Sequence, residues 1–255
     1  DLLDSYDRLG YYDFLRAKAL VASSLGAAMP IMEAKPEIDW YGARHPLLYL
    51  TLRSQGRSVV PLDLHLDPKQ RILLISGPNA GGKSVCLKTV GIVQYMLQCG
   101  MLPTMHSNSH ASVFSDICID IGDEQSIEND LSTYSSHLRN MKVFLRQASE
   151  RTLILVDEMG SGTEPQIGGA LAQAIIAKWN EARAMGVITT HYQNLKTYAD
   201  NTPGLINGAM LYDRQNMQPL FKLSIGSPGS SFALEIAYKT GLPRDVIEAA
   251  KEIVG

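Results

Sequence analysis

The segment Gly77–Ser84 constrains this chain most, because its sequence GPNAGGKS matches the pattern G-x-x-x-x-G-K-[ST]. It follows the apolar run RILLISG, which predicts a buried strand, and precedes a pattern from Ser84 to Gln98 that predicts a helix. A glycine-rich loop in this context lets backbone N–H groups and a helix N-terminus surround phosphate oxygens; the alternative is a glycine-rich turn without a ligand. The residues predicted to bind a nucleotide here are Gly77, Pro78, Asn79, Ala80, Gly81, Gly82, Lys83, Ser84 and Val85.

Two kinds of side chain around this loop predict ATP and Mg²⁺ as ligands. Lys83 is expected to reach the terminal phosphates, and the hydroxyl of Ser84 is expected to bind Mg²⁺. In the segment LILVDEMGSGT, Asp157 at the end of a predicted strand would complete the metal site, and Glu158 would polarise the attacking water. Adjacent acids at the end of a strand can also be merely solvated, so this assignment depends on the loop upstream.

A histidine follows another predicted strand in the segment GVITTHY. His191 is placed where it could contact the γ-phosphate or the attacking water. A single histidine is more often structural, so its assignment depends on the other two motifs. The predicted catalytic residues are therefore Glu158, His191 and Lys83.

Strand and helix patterns alternate through the region that contains these motifs, which predicts an α/β fold with a mainly parallel central sheet flanked by helices. The 255 residues are 45% hydrophobic and carry a formal net charge of −3, so no overall positive field attracts nucleic acid. Three cysteines without a C-x-x-C spacing favour a reducing compartment. With no signal-like start and no long apolar run, we expect a soluble cytoplasmic protein without a membrane partner.

The order of an acid pair, the sequence GSGT and a histidine at a strand end resembles that of ABC-type ATPases. This resemblance implies a further element, a serine at a helix start that completes the ATP site of the opposite subunit. Ser132 in NDLSTYSSH is predicted to cap such a helix, where its hydroxyl and the helix dipole would both favour an anion. A plain N-cap without a role in ATP binding is the alternative.

Longer segments resemble the MutS family and in particular its second bacterial branch, MutS-II. These segments are GARHPLL, GPNAGGKSVCLKTVG, QYMLQCGMLP, DIGDEQSIENDLSTYSSHLRNM, LVDEMGSGTEPQIGGALA and TTHYQNLKTYA. Two features favour the second branch over mismatch-repair members of the family. The sequence SSHLRNM stands where those members usually carry a VEM element, and GTEPQIGGALA replaces their GTST-x-x-DG-x-A.

The resemblance implies an ABC-type P-loop ATPase with three parts. Residues 1–35 would be the end of a lever helix and its core helical domain, 36–225 the ATPase domain, and 226–255 a helix-turn-helix dimerisation element. The clamp, the remaining lever and any nuclease-like domain would lie outside this sequence. Val59 and Val60 would contribute to the adenine pocket, although no aromatic residue stands in that segment.

The function implied is that of a homodimer that closes head to head around two ATP molecules. Hydrolysis would be coupled to the remodelling or release of nucleic-acid substrates, either branched DNA or stalled ribosomes, mainly through domains outside this sequence. One alternative is the ATPase domain of a mismatch-repair MutS protein. Another is a nucleotide-dependent dimerisation scaffold in which slow hydrolysis acts only as a timer.

Overall fold

The computed structural model describes residues 2–78, 81–122, 130–213, 216, 218–229, 237–238 and 240–254, with the backbone alone at 130–133, 253 and 254. Contacts between Cα atoms divide the chain into two compact units. The first unit comprises Asp1–Asp67 and Lys88–Ser115, and the second comprises Pro68–Leu87 and Asp116–Gly255. The domain boundaries predicted after residues 35 and 225 stay predictions.

The first unit contains a four-stranded sheet with the strand order β1-β5-β2-β3. Strand β3 has the sequence LDLHL, and its three leucines are buried while Asp63 and His65 are exposed, which is the alternation expected of a strand with one buried face. The elements of this unit are α1 (Leu2–Leu25), β1 (Ile31–Glu33), β2 (Ile38–Ala43), α2 (Pro46–Ser54), β3 (Leu62–Leu66) and β5 (His110–Ser112).

The Arg44-His45-Pro46 element joins the ends of two helices of the first unit. The guanidinium of Arg44 donates to the carbonyls of Leu25 and Gly26 at 3.2 and 3.1 Å, and so satisfies the C-terminal end of α1. His45 is the N-cap of α2, where its Nδ1 accepts a hydrogen bond from the backbone N–H of Leu48 at 3.3 Å. Pro46 then occupies the first turn of α2, where a missing N–H costs nothing.

The second unit is built on a six-stranded sheet with the order β10-β9-β4-β8-β7-β6. Neighbouring strands from β9 to β6 are parallel, and β10 is antiparallel to β9. The carboxyl ends of β4, β7 and β8 therefore lie at one edge of the sheet. The strands are β4 (Gln70–Ser76), β6 (Asp116–Asp120), β7 (Thr152–Val156), β8 (Met185–Thr189), β9 (Gly204–Asp213) and β10 (Gln218–Ile225).

Helices cover this sheet and bury its apolar strands. All five residues of β7 are buried, and Trp179 and Leu195, which are both fully buried, belong to the same core cluster. These strands have no polar face because helices pack on the sheet, as is usual for parallel sheets. The helices that lie wholly or partly in this unit are α3 (Lys83–Gln98), which continues into the first unit from Lys88, α4 (Asp130–Gln147), α5 (Pro165–Glu181), α6 (Gln193–Asn201) and α7 (Arg244–Val254).

The α/β class predicted from the sequence is confirmed, and within residues 1–35, where the end of a lever helix is expected, α1 spans Leu2–Leu25. One local prediction was wrong, because Ser132 lies inside α4 and an N-cap residue precedes the helical residues. The first helix of the predicted helix-turn-helix falls largely outside the described residues, and α7 lies where the second helix is predicted. None of the described helices is both long enough and apolar enough to cross a membrane.

Candidate functional site

The glycine-rich loop lies between the end of β4 and the start of α3, as its sequence context predicts. Gly77 and Gly82 have φ angles of +133° and +94°, a region that L side chains rarely adopt. A Cβ atom on Gly82 would lie 2.9 Å from Cδ1 of Phe221, so the loop also needs glycine there for space. Asn79 and Ala80 lie outside the described residues, and Val85 follows on an exposed part of α3.

Lys83 is folded back over its own loop. Its side chain is buried, with the residue 2% exposed, and Nζ donates to the carbonyls of Gly77 at 2.8 Å and Pro78 at 3.1 Å. Burial lowers the pKa of Lys83, and the carboxylates of Glu158 and Asp157 oppose that change. The ammonium of Lys83 is therefore held inside the loop, where the charges of both acids favour its protonated form.

The two acids follow β7, which pairs with β8, and β8 in turn pairs with β4. The hydroxyl of Thr189 connects them, because it donates to Oδ1 of Asp157 at 2.5 Å and accepts from the backbone N–H of Glu158 at 2.7 Å. Glu158 has a φ of +48°, an uncommon conformation for a residue with a side chain. Residues held in such conformations often belong to functional sites, where surrounding contacts maintain the strain.

His191 follows β8 and lies beside Glu158. Its Nε2 is 3.9 Å from Oε1 of Glu158, and 46% of the histidine side chain is exposed. Burial is the largest cause of a lowered pKa for His191, and the positive charge of Lys83 lowers it further. The imidazole is therefore neutral at pH 7, where it has both a hydrogen-bond donor and an acceptor.

An NMR titration is expected to give His191 a pKa below its ordinary value of 6.5, because burial and Lys83 both disfavour the imidazolium. Because the folded pKa is lowered, the contribution of neutral His191 to stability is present above pH 6.5 and is lost as the pH falls through the folded pKa. Lys83→Met removes one of the causes of the lowered pKa, so the pKa should rise in that variant. A pKa of 6.5 or higher in the unmodified chain would contradict this assignment.

The loop after the acid pair is packed tightly because of its glycines. A Cβ atom on Gly160 would lie 2.7 Å from Cε2 of Tyr192 and 2.8 Å from the carbonyl of Gly168. The hydroxyl of Tyr192 donates to the carbonyl of Gly160 at 2.8 Å. These contacts give a physical reason for the glycines in GSGT and GGA, since they hold the segment after Glu158 against α5.

The residues predicted to bind magnesium have the oxygen atoms that this ion prefers. Ser84 lies half-buried at the start of α3, and Asp157 lies half-buried at the end of β7. A hydroxyl and a carboxylate suit Mg²⁺, which usually keeps water and phosphate oxygens as its other ligands. No group of three His, Cys, Asp or Glu side chains that could hold a metal alone occurs in the described part of the chain.

Three predicted residues are not joined to this site by the described contacts. Val59 and Val60 lie in the first unit between α2 and β3, half-buried and exposed respectively. Ser132 lies in the first described turn of α4, and its side chain is outside the described residues. Their roles stay predictions.

The sequence analysis did not identify Phe221. If Gly82 had a Cβ atom, the ring of Phe221 would be its nearest neighbour. Phe221 is 50% exposed, has a φ of +52° and lies in the irregular part of β10 between Pro219 and Leu223. Alternation of side chains along β10 gives no signal for Phe221, because the irregularity changes the face that a strand residue presents.

Asp120, at the end of β6, also escaped prediction. Its carboxylate contacts Nδ1 of His137 at 2.6 Å and accepts from Nδ2 of Asn140 at 2.9 Å, both on α4. Its carbonyl accepts from the backbone N–H of Asp157 at 2.9 Å. Asp120 thus connects α4, the helix that contains Ser132, to the first of the two acids.

Comparisons with known proteins agree with these observations. The family model described as MutS domain V matches residues 73–255. A protein named Endonuclease MutS2 from Latilactobacillus sakei is 42% identical over 254 residues, which cover 100% of this chain and 32% of that protein. The Endonuclease MutS2 of Thermomicrobium roseum is 43% identical over 266 residues, covering 100% of this chain and 33% of its own length. The chain thus spans about a third of the length of these relatives.

Proposed function

This chain belongs to the MutS family, whose domain V it carries, and we propose that it is the part of a MutS-II protein that binds and hydrolyses ATP. One observation carries the proposal. The loop that holds the buried ammonium of Lys83 lies at the same edge of the sheet as Asp157, Glu158 and His191, because β4, β8 and β7 are parallel neighbours. Parallel sheets bind ligands at the carboxyl ends of their strands.

Residues 77–85 are proposed to bind the phosphates of ATP, and the fold suits that role. The loop ends at the N-terminus of α3, which has 16 residues, and the N-terminus of a helix favours the binding of an anion. Ser84 and Asp157 would hold Mg²⁺, which when bound neutralises phosphate charge and orients the phosphates. Lys83 would contribute the second positive charge at the same place.

Hydrolysis is proposed to use Glu158 to orient water and His191 to assist. The hydroxyl of Thr189 accepts a hydrogen bond from the strained backbone of Glu158. This bond fixes the position from which the side chain of Glu158 extends. The neutral imidazole of His191, 3.9 Å from that carboxylate, has a donor and an acceptor for the water or for a phosphate oxygen. Positioning and charge neutralisation would supply most of the rate.

The site is proposed to be completed by Ser132 of a second copy of the chain, so that two ATP molecules are held between two subunits. Within each copy, the hydrogen bonds of Asp120 connect α4 to the residue before Glu158. A change at the acids on hydrolysis would then reach the helix that faces the other subunit.

Phe221 is proposed to be the surface on which the adenine base stacks, since its ring is exposed and lies beside Gly82 of the phosphate loop. Phe221→Ala is expected to weaken the binding of ATP and ADP by about 10-fold, since stacking of a base on an aromatic ring contributes about 1–3 kcal/mol. Calorimetric titration measures this, and Phe221→Tyr should keep nearly full affinity. Inorganic tripolyphosphate is the matched ligand without a base, and its affinity should not change. Equal losses for ATP and tripolyphosphate would contradict the stacking role.

In the whole protein, nucleotide-driven closure is proposed to remodel or release a nucleic-acid substrate, branched DNA or a stalled ribosome. The relatives are named endonucleases, and that activity is proposed to reside in the two thirds of their length that this chain does not span. The present chain would bind and hydrolyse ATP, and contact with DNA or ribosomal RNA would be made mainly by the parts of the protein that this chain does not span.

A further inference from the structure

The segment after β10 returns to the base of the phosphate loop. The backbone N–H of Gly226 donates to the carbonyl of Asn207 at 2.8 Å, and the backbone N–H of Gly229 donates to Oγ of Ser76 at 2.7 Å. Ser76 is the last residue of β4 and immediately precedes Gly77. The chain that leads toward the C-terminal helix is therefore bonded to the strand from which the loop starts.

Gly229 lies directly against the backbone at that point. A Cβ atom on Gly229 would be 2.8 Å from the carbonyl oxygen of Ser76 and 3.0 Å from the nitrogen of Gly77. Ser76 is fully buried, and its hydroxyl also donates to the carbonyl of Gly208 at 3.4 Å. Only glycine allows this approach, so a shift of the first peptide of the loop would displace Gly229 as well.

A buried lysine binds the carbonyl of Gly229, whose N–H is bonded to Ser76. Lys196 on α6 is 9% exposed, and its Nζ donates to the carbonyl of Gly229 at 3.2 Å. The side chain of Asn207 donates to the backbone carbonyl of Lys196 at 2.8 Å, so the same asparagine is bonded to both Gly226 and α6. One continuous group of hydrogen bonds therefore connects Ser76, Gly229, Lys196 and Asn207.

The charge of Lys196 is unusual for a position that serves packing alone. Removing an ammonium from water is costly, and within the described residues no carboxylate forms an ion pair with Lys196. Burial lowers its pKa. The positive charge of Lys196 also contributes to lowering the pKa of Lys83 and of His191, two side chains of the proposed ATP site.

We propose that Lys196 is a positioning residue of the nucleotide site, which holds Gly229 on Ser76 and so links the phosphate loop to the chain that leads to α7. The inference rests on the proposed function, because it assigns a consequence to nucleotide binding. Linkage is reciprocal, so a nucleotide that orders the loop also orders residues 226–229, and loosening residues 226–229 weakens nucleotide binding by the same factor.

The test compares the unmodified chain with Lys196→Met, Lys196→Arg and Ser76→Ala. Calorimetry measures ADP affinity in magnesium buffer, and hydrogen exchange measures protection of the backbone amides of Gly226, Ser227 and Gly229 with and without ADP. In the unmodified chain, ADP should slow this exchange. Lys196→Met and Ser76→Ala should each weaken ADP binding by about 10-fold and abolish the effect of ADP on residues 226–229, whereas Lys196→Arg should retain both properties.

Thermal unfolding separates positioning from a structural role. Met has nearly the length of Lys without its charge, so Lys196→Met should keep or raise the melting temperature while it weakens ADP binding. Parallel loss of stability and affinity would overturn the proposal. It would also fail if Lys196→Met alone weakened binding while Ser76→Ala had no effect, because Lys196 would then act only through its charge.

The calorimetry also distinguishes this inference from the proposed function. If the unmodified chain takes up no ADP, the proposed function fails and the linkage fails with it. If the chain binds ADP and the exchange of residues 226–229 does not respond, only the linkage fails.

Discussion

Glu158→Gln is expected to lower the rate of ATP hydrolysis by about 10²- to 10⁴-fold while the affinity for ATP stays nearly unchanged. The substitution removes the carboxylate that is proposed to orient the attacking water but keeps the shape of the side chain. The backbone N–H of Glu158 still donates to Thr189, so the strained conformation has its main support. Single-turnover measurement of phosphate release with saturating ATP gives the rate directly.

Glu181→Gln is the matched control, because it removes the same charge from an exposed side chain on α5 whose partner is Lys178 at 2.7 Å. Its hydrolysis rate should equal that of the unmodified chain. Unchanged hydrolysis in Glu158→Gln would remove Glu158 from the catalytic residues. A loss of ATP affinity as large as the loss of rate would instead assign it to ground-state binding.

Lys83→Met is expected to weaken the binding of ATP by about 100-fold or more, since hydrogen bonds to charged groups contribute about 1.5–3 kcal/mol each. The ammonium now bonded to the carbonyls of Gly77 and Pro78 is the positive side chain inside the loop. Met fills a similar volume and removes a buried charge, so the chain should remain folded. Calorimetric titration with ATP and magnesium provides the affinity.

Lys178→Met serves as the control for that experiment, because Lys178 is an exposed lysine of α5. It should bind ATP as the unmodified chain does. Equal affinity of Lys83→Met and the unmodified chain would show that the phosphates are bound elsewhere, even if the chain still hydrolyses ATP.

Local signals in the sequence were sufficient for much of the fold. The strand and the helix on either side of the phosphate loop were predicted within one residue. The apolar run before Asp157 is a fully buried strand. These predictions succeeded because periodicity and glycine spacing depend on neighbours in the chain.

Contacts between distant segments could not be predicted in this way. The hydroxyl of Thr189 joins the two acids, the ring of Phe221 packs against Gly82, and Lys196 holds Gly229. Each of these contacts depends on which strands are neighbours in the sheet. No sequence spacing identifies the threonine, phenylalanine or lysine that makes such a contact. The misplaced cap at Ser132 has a different cause, since helix ends are the least certain part of a pattern.

Sedimentation of the Glu158→Gln chain, with and without ATP and magnesium, tests most directly the claim that ATP is held between two copies. The variant is used because it should retain bound ATP. The account predicts a monomer without nucleotide and a dimer at saturating ATP, and Ser132→Ala in the same background should reduce the dimer. A chain that binds ATP by calorimetry and still sediments as a monomer would contradict the composite site.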